Sequence, residues 1–287
     1  MQTAIVLGTF DGLHKGHRAV IEKARGYYTV AVTFNIPPKA FSGTKSKLLI
    51  MPEDKAKGLS QLGVSEIYSL DFAKVANVSP EDFFSGITEK FSPSLIACGF
   101  NYRFGRGAAG DTATLAALCK EKGIRLCVAD SVGGDKPISS SMLRTLIESG
   151  DIAAANTQIY GGFGFSSLVL HGNARGKAFG FPTVNQAFPD CLAVPKFGVY
   201  QSKIIIDEKE YESITDLGVR PTYKTDFIGC ETYVKGLNND IYGKKVTLKL
   251  IRFIRPEKKF EGKEELESAV KTDIKSVLGV EIDLEGA

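Results

Sequence analysis

Apolar residues fall along the first half of this chain in two alternating rhythms. Short apolar runs, Ala4–Gly8, Tyr28–Phe34, Glu66–Leu70, Ser94–Cys98 and Ile124–Ala129, read as buried strands. Between them lie stretches with apolar residues at helical spacing: Gly16–Gly26, Pro52–Leu62, Pro80–Lys90 and Asp111–Lys122. Five strands separated by four helices predict an α/β fold, a doubly wound parallel sheet covered on both faces. Ligands of such sheets gather beyond the C-terminal strand ends, at the point where strand order reverses. A short helix over Ser139–Ser149, closed by Gly150, and a further helical turn or two over Asp151–Tyr160 lead out of this half.

The texture changes at Gly161-Gly162-Phe163-Gly164. From there β-rich runs follow closely, at Ser167–His171, Val199–Ile206, Ile214–Val219, Cys230–Val234 and Lys245–Phe253, broken by Gly, Asn, Asp and Pro. Strands spaced this closely, with no helices between them, predict a small antiparallel barrel or sandwich. Lys263–Leu278 returns to helical periodicity, with Leu266, Ala269, Val270, Ile274 and Val277 on one side, and is expected to pack on that barrel.

Composition narrows the class without choosing a function. The chain has 287 residues, 43% hydrophobic and 24% charged, and a net charge of 36 − 33 = +3. That balance gives no argument for nucleic acid or an anionic membrane. No apolar run approaches the roughly 20 residues of a membrane span, and the N-terminus lacks a signal-peptide layout. Cys98, Cys119, Cys127, Cys191 and Cys230 are odd in number and hold no Cys-x-x-Cys. They indicate neither a disulfide framework nor a zinc site, and a cytoplasmic location is expected.

The first chemistry-bearing motif follows the first strand: Gly8-Thr9-Phe10-Asp11-Gly12-Leu13-His14-Lys15-Gly16-His17, with two of the three histidines of the chain. A glycine turn lets backbone approach an anion, and the free N–H groups of a helix start point at it. His14 and His17 lie three apart and share a face near the positive helix end. Capping is the plainer use of one histidine, and no third metal ligand stands nearby in sequence. The arrangement resembles that of nucleotidylyltransferases, in which two histidines meet the phosphates of ATP.

Ser139, Ser140 and Ser141 at the start of a helix, followed by Arg144, can cap it and also clamp phosphate. Asn101 lies in the aromatic and arginine-bearing loop Gly99–Asp111, on the ligand side of the sheet. Gly105-x-Gly107-x-x-Gly110 in that loop mimics a dinucleotide fingerprint. The strand has already ended near Gly99, so a nicotinamide cofactor is not expected.

In the second half, the loop from His171 to Asn185 carries Gly172, Arg175, Gly176, Lys177, Gly180, Phe181 and Pro182, suited to nucleotide phosphates. It falls one residue short of a P-loop, and Ala178 stands where a Ser or Thr would be. Thr183 and Asn185 are two apart, so on an extended segment both point the same way and offer hard oxygen ligands for magnesium. Glu231 is a carboxylate within a β run and a candidate general base, whose facing the sequence leaves open.

Together these residues resemble the bacterial bifunctional riboflavin kinase/FAD synthetase family over nearly the whole chain. The marks are Gly8–His17, Gly99–Gly105, Ile138–Arg144, Gly172–Asn185, Leu217–Thr222 with Arg220, Glu231, Tyr242-Gly243-Lys244 and Arg255–Lys258. The resemblance implies an FMN adenylyltransferase domain over residues 1–157 and a riboflavin kinase domain over residues 158–287. It implies riboflavin, FMN, FAD and ATP as small-molecule partners and Mg2+ as the metal, held by Thr183 and Asn185. Glu231 would take the proton from the ribityl hydroxyl, while His14, His17 and Arg144 position phosphates. Two departures stand out. Thr33-Phe34-Asn35-Ile36-Pro37-Pro38 lacks the usual Phe-x-Pro-His-Pro form, and Asp216 replaces the usual Asn. A chain with one working half and a flavin or nucleotide sensor without turnover are the competing readings.

Overall fold

The computed structural model describes residues 1–35, 47–134, 137–171, 183–220, 227–237 and 239–281. Contacts divide the chain into two compact units, Met1–Leu143 with Gln158–Gly161, and Arg144–Thr157 with Gly162–Ala287. The division does not coincide with position 157: residues 144–157 group with the second unit, and 158–161 return to the first.

The first unit is built on strands β1 (Thr3–Leu7), β2 (Tyr28–Phe34), β3 (Glu66–Leu70), β4 (Leu95–Gly99) and β5 (Arg125–Ala129). They form one sheet in the order β3-β2-β1-β4-β5, with every pairing parallel. Between the strands run α1 (Lys15–Glu22), α2 (Pro52–Gln61), the short α3 (Phe72–Val75), α4 (Pro80–Phe91) and α5 (Thr112–Glu121). Side chains alternate across a strand, so β1 feeds two cores. Ala4 and Val6 join Val20, Ile21 and Leu59 on one face, while Ile5 and Leu7 join Phe83, Phe84 and Leu115 on the other. This is the doubly wound layout expected. Strand order reverses between β1 and β4, so the ligand crevice of this fold class lies past those two strand ends.

Helices α6 (Ser140–Ser149) and α7 (Ile152–Asn156) follow. The second unit then contains β6 (Gly164–Leu168), β7 (Thr183–Ala187), β8 (Gly198–Ile206), β9 (Lys209–Arg220), β10 (Phe227–Val234), β11 (Lys245–Pro256) and α8 (Lys263–Leu278). Its antiparallel sheet runs β6-β11-β8-β9-β10-β7. The two edges meet where Leu170, just past β6, bridges Asn185 of β7, and where Gln186 Nε2 donates to Ser167 Oγ at 2.9 Å. The sheet is thereby curled toward a barrel. Helix α8 buries Ile274 and Leu278 against Val199 and Ile214. Each such side chain contributes roughly 1.5–3 kcal/mol when fully buried.

One side of this sheet carries a run of buried hydroxyls. Ser202 meets Ser213 and Thr215 at 2.8 Å each, and Thr215 meets Thr232 at 2.9 Å. A one-residue slip would break all of these contacts and send the hydroxyls to the other face, so the network fixes register. Asp216 and Glu231, the chain neighbours of Thr215 and Thr232, therefore face the opposite side.

Candidate functional site

In the first unit the turn after β1 takes a left-handed course. Phe10, Gly12 and Leu13 have φ of 51°, 86° and 42°. The strain at the two non-glycine positions is held by packing, since Phe10 and Leu13 are both fully buried. His14 caps α1, its Nδ1 accepting from His17 N at 3.4 Å. Gly16 eases the packing here, since a Cβ would lie a tight 3.1 Å from the His14 ring. The rings of His14 and His17 stack at 3.7 Å, and Phe10 meets His17 edge-on at 5.3 Å. Burial pushes the His14 imidazole down to about 4. His17 is also held well below the usual imidazole value, by burial, by His14 and by Lys55. Both rings are neutral at physiological pH. The helix N–H on Nδ1 makes that nitrogen of His14 an acceptor, so its proton sits on Nε2 and is available to a ligand. Among the described residues His17 Nδ1 is buried without a partner.

The other predicted residues of this half divide into two groups. Gly8, Thr9, Gly12, Ser139 and Ser140 gather at the turn. Ser140 Oγ donates to Asp11 O at 3.1 Å, and Ser139 Oγ caps α6 through Met142 N at 3.3 Å. Asn101 is exposed in the turn just past β4, and Ser141 is exposed on α6. The side chains of Phe10 and Asp11, by contrast, point inward. Phe10 supports His17, and Asp11 Oδ1 accepts from Leu49 N at 2.8 Å. What these two offer a ligand is their backbone. Arg144 lies one turn along α6 from Ser140, at the first residue grouped with the second unit.

Two of the three dinucleotide-like glycines serve packing. A Cβ on Gly105 would meet Pro80 N at 2.7 Å, and one on Gly110 would meet the Phe104 ring at 2.8 Å. Lys55 is a buried lysine that the sequence patterns did not single out. Its Nζ donates to Phe34 O at 2.8 Å and to Thr33 Oγ1 at 3.5 Å. A signal existed: Lys55 shares its helix face with Gly58, Leu59 and Leu62, and so stands in an apolar stripe.

In the second unit, Asn185, Glu231 and Asp216 form one row across β7, β10 and β9. Thr183 Oγ1 donates to Glu231 Oε1 at 2.9 Å. Glu231 is half-buried in a pocket of about 300 Å³ whose walls include Thr183, Asp216, Arg220, Tyr233, Phe260 and Val270. Arg220 pairs with Asp216 at 2.7 Å and approaches Glu257 at 3.8 Å. Two glycines make room for this cluster. A Cβ on Gly218 would stand 1.8 Å from Glu257 Oε1, and one on Gly229 would stand 2.7 Å from Arg220 Cγ. Burial opposes the Arg220 charge, but Asp216, Glu231 and Glu257 hold its pKa up. Burial and Asp216 raise the Glu257 carboxyl, against the pull of Arg220. Arg255 closes the floor with a two-pronged pair to Asp273 on α8, at 3.0 and 2.6 Å. Gly172, Arg175, Gly176, Lys177, Gly180, Phe181 and Pro182 lie outside the described residues.

Comparison with known proteins agrees with this two-part layout. The family described as FAD synthetase matches residues 1–142, and that described as riboflavin kinase matches residues 162–280. A bifunctional riboflavin kinase/FMN adenylyltransferase of Listeria monocytogenes is 30% identical, over 94% of this chain and 89% of its own. Its namesake from Bacillus subtilis is 30% identical over 95% and 90%. A crystal structure described as a macrolide-efflux protein from Streptococcus pneumoniae superposes with a TM-score of 0.87 at 27% identity, covering 97% of this chain and 94% of that one. The likeness is one of fold, and the efflux description stays with that structure. No helix among the described residues is long and apolar enough to cross a membrane. By its two matched domains and its full-length relatives, this chain belongs to the bifunctional riboflavin kinase/FMN adenylyltransferase family.

Proposed function

We propose that this chain converts riboflavin to FAD in two ATP-consuming steps, one in each compact unit. The observation that supports the reading is that each compact unit holds its own cluster of chemistry-bearing side chains. The neutral histidine pair lies on the parallel sheet, and the Thr183–Glu231 pair lies on the antiparallel one.

In the second unit, the terminal ribityl hydroxyl of riboflavin attacks the γ-phosphorus of ATP. FMN forms and ADP leaves. Glu231 accepts the hydroxyl proton, and Thr183, already hydrogen-bonded to it, orients the carboxylate. Arg220 faces phosphate once its contacts to Asp216 and Glu257 loosen. By their glycine-rich, basic sequence, Gly172, Arg175, Gly176, Lys177, Gly180, Phe181 and Pro182 are assigned to binding the nucleotide phosphates. Thr183 and Asn185 place a hydroxyl and an amide on the same side of β7, next to the Glu231 carboxylate. An all-oxygen set of this kind suits Mg2+, which when bound neutralises charge on the ATP phosphates.

In the first unit, a phosphate oxygen of FMN attacks the α-phosphorus of a second ATP. FAD forms and pyrophosphate leaves. The nucleophile is already an anion, so the site needs no base. His14 donates from Nε2, and His17, the turn backbone, Ser139, Ser140, Ser141, Asn101 and Arg144 hold phosphate and adenosine groups. Loss of one such donor costs about 10²–10³ in turnover. The five cysteines are free thiols, in keeping with the reducing cytoplasm we propose for the protein.

The test is a product assay. Wild-type protein with riboflavin, ATP and magnesium is expected to accumulate FMN and then FAD on chromatography, and to make FAD from FMN supplied directly. FMN without FAD in both incubations would leave a kinase alone. Flavin binding without ATP consumption would leave a sensor.

A further inference from the structure

Among the described residues, Lys55 is the one lysine or arginine that is buried, at 7% exposure. It makes no ion pair among those residues, and its hydrogen-bond partners are the neutral oxygens of Phe34 and Thr33. Burial lowers its pKa, while Asp11 acts in the opposite direction. An ammonium kept this way is costly unless an anion shares its surroundings. Asp11 is one such anion, and it stands in the turn after β1, where a polyphosphate is proposed to bind.

Two further contacts tie the charge to that turn. Thr33, itself fully buried, accepts from Lys55, and its hydroxyl donates to Thr9 O at 3.0 Å. A trans peptide sets N–H and C=O on opposite sides, so holding the Thr9 carbonyl toward β2 turns the Phe10 N–H away from it. Helix α2 is also docked tightly against the turn. Leu13 fills the space where a Cβ on Gly58 would come within 2.4 Å of its Cδ1, and Leu49, just ahead of α2, bonds Asp11. Lys55 thus stands on a rigid support, linked to the cradle backbone by two hydrogen bonds that meet at Thr33.

We propose that Lys55 is a positioning residue of the adenylylation site, aiming the Thr9–Phe10 peptide through Thr33 and setting a fixed positive charge against the bound phosphates. The assignment rests on the adenylylation reading of the first unit. It names a group outside the histidine and serine motifs and gives α2 a functional task.

The experiment uses the full chain, with FAD formation from FMN and ATP followed by chromatography. Lys55→Met is expected to lower kcat/KM for ATP about 10²-fold, the scale of a small misplacement at a reacting centre. The loss should appear in kcat as well as in KM, and Lys55→Arg should recover about tenfold of it by restoring charge. Thr33→Val should lower the rate, and the double variant should be no worse than Lys55→Met alone, because both act along one path. Riboflavin phosphorylation by the same preparations, and their unfolding midpoints, report on folding. Lys55→Met activity within about twofold of wild type would overturn the proposal, as would losses that multiply in the double variant. If Lys55→Met does not fold, Thr33→Val decides: FAD formation equal to wild type overturns it, and loss that spares the kinase supports it. Wild-type protein that makes no FAD overturns the adenylylation reading itself, and the Lys55 assignment with it.

Discussion

Acidification is the sharpest perturbation of the histidine cradle, because its two rings are kept neutral by their surroundings. Burial lowers His14 from 6.5 to about 4, a difference of 2.5. Each unit of difference is worth about 1.4 kcal/mol, so His14 alone is worth roughly 3 kcal/mol. The sign follows from which state binds the proton first. Between about pH 6.5 and pH 4 the unfolded chain holds the proton and the folded chain does not. Stability is therefore fully present above pH 6.5 and falls as pH falls toward 4. His17 adds to the same side, being lowered by burial, His14 and Lys55. Lys55 on α2 is the charged group that acts on His17, and Asp11 in the turn acts on Lys55. With three histidines in the chain, NMR of ring carbons labelled with carbon-13 resolves each one. Two resonances are expected to stay neutral from pH 8 down to about pH 5, while urea unfolding followed on the first unit weakens over the same range. A midpoint between about pH 6 and 7 for either His14 or His17 would refute the argument. FAD formation would then depend on an imidazole switching charge, which the cradle as described does not use.

Three substitutions probe other parts. Gly58→Ala brings a Cβ within 2.4 Å of Leu13 Cδ1. Overpacking of about 1–3 kcal/mol outweighs a helix gain of about 1 kcal/mol, so calorimetry should show a lowered midpoint, and an unchanged or raised one would contradict the docking of α2 on the turn. Asp216→Asn removes the 2.7 Å partner of Arg220. Stability should move by less than about 1 kcal/mol, while the KM for ATP in riboflavin phosphorylation falls as the guanidinium is freed; a rise in KM would show that Asp216 helps bind nucleotide. Glu231→Gln keeps an acceptor for Thr183 and so the fold. It should cut kcat for FMN formation by about 10²–10⁴, and a rate near wild type would remove Glu231 as the base.

Much of the first unit was legible because its central strands β1, β2 and β4 are buried on both faces. Tyr28–Phe34, Glu66–Leu70 and the helix Lys263–Leu278 lie where their patterns placed them. Strand β7 was not recognised. Its sequence Thr-Val-Asn-Gln-Ala puts a polar Gln186 toward the barrel interior, where it bonds Ser167 and Val246 O. That reverses the usual reading of alternation, and only the partner strands reveal it. Strand β9 also begins earlier than its apolar core suggests, since Lys209–Glu212 is mostly charged and exposed. At the sites, the histidine pair was legible because both members lie within one turn of one helix. The facing of Glu231 was not, because it depends on register with Asn185, 46 residues earlier. Lys55 reaches the cradle through Thr33, a contact across 22 residues that local spacing cannot display.

The central claim is that two chemistries are housed apart in one chain. Its most direct test is a mixing measurement with His17→Ala and Glu231→Gln, each supplied with riboflavin, ATP and magnesium. His17→Ala alone should stop at FMN, Glu231→Gln alone should make neither product, and the mixture should form FAD as FMN diffuses from one variant to the other. FAD absent from the mixture while each folded variant retains flavin binding, or FAD formed by His17→Ala alone, would contradict the account.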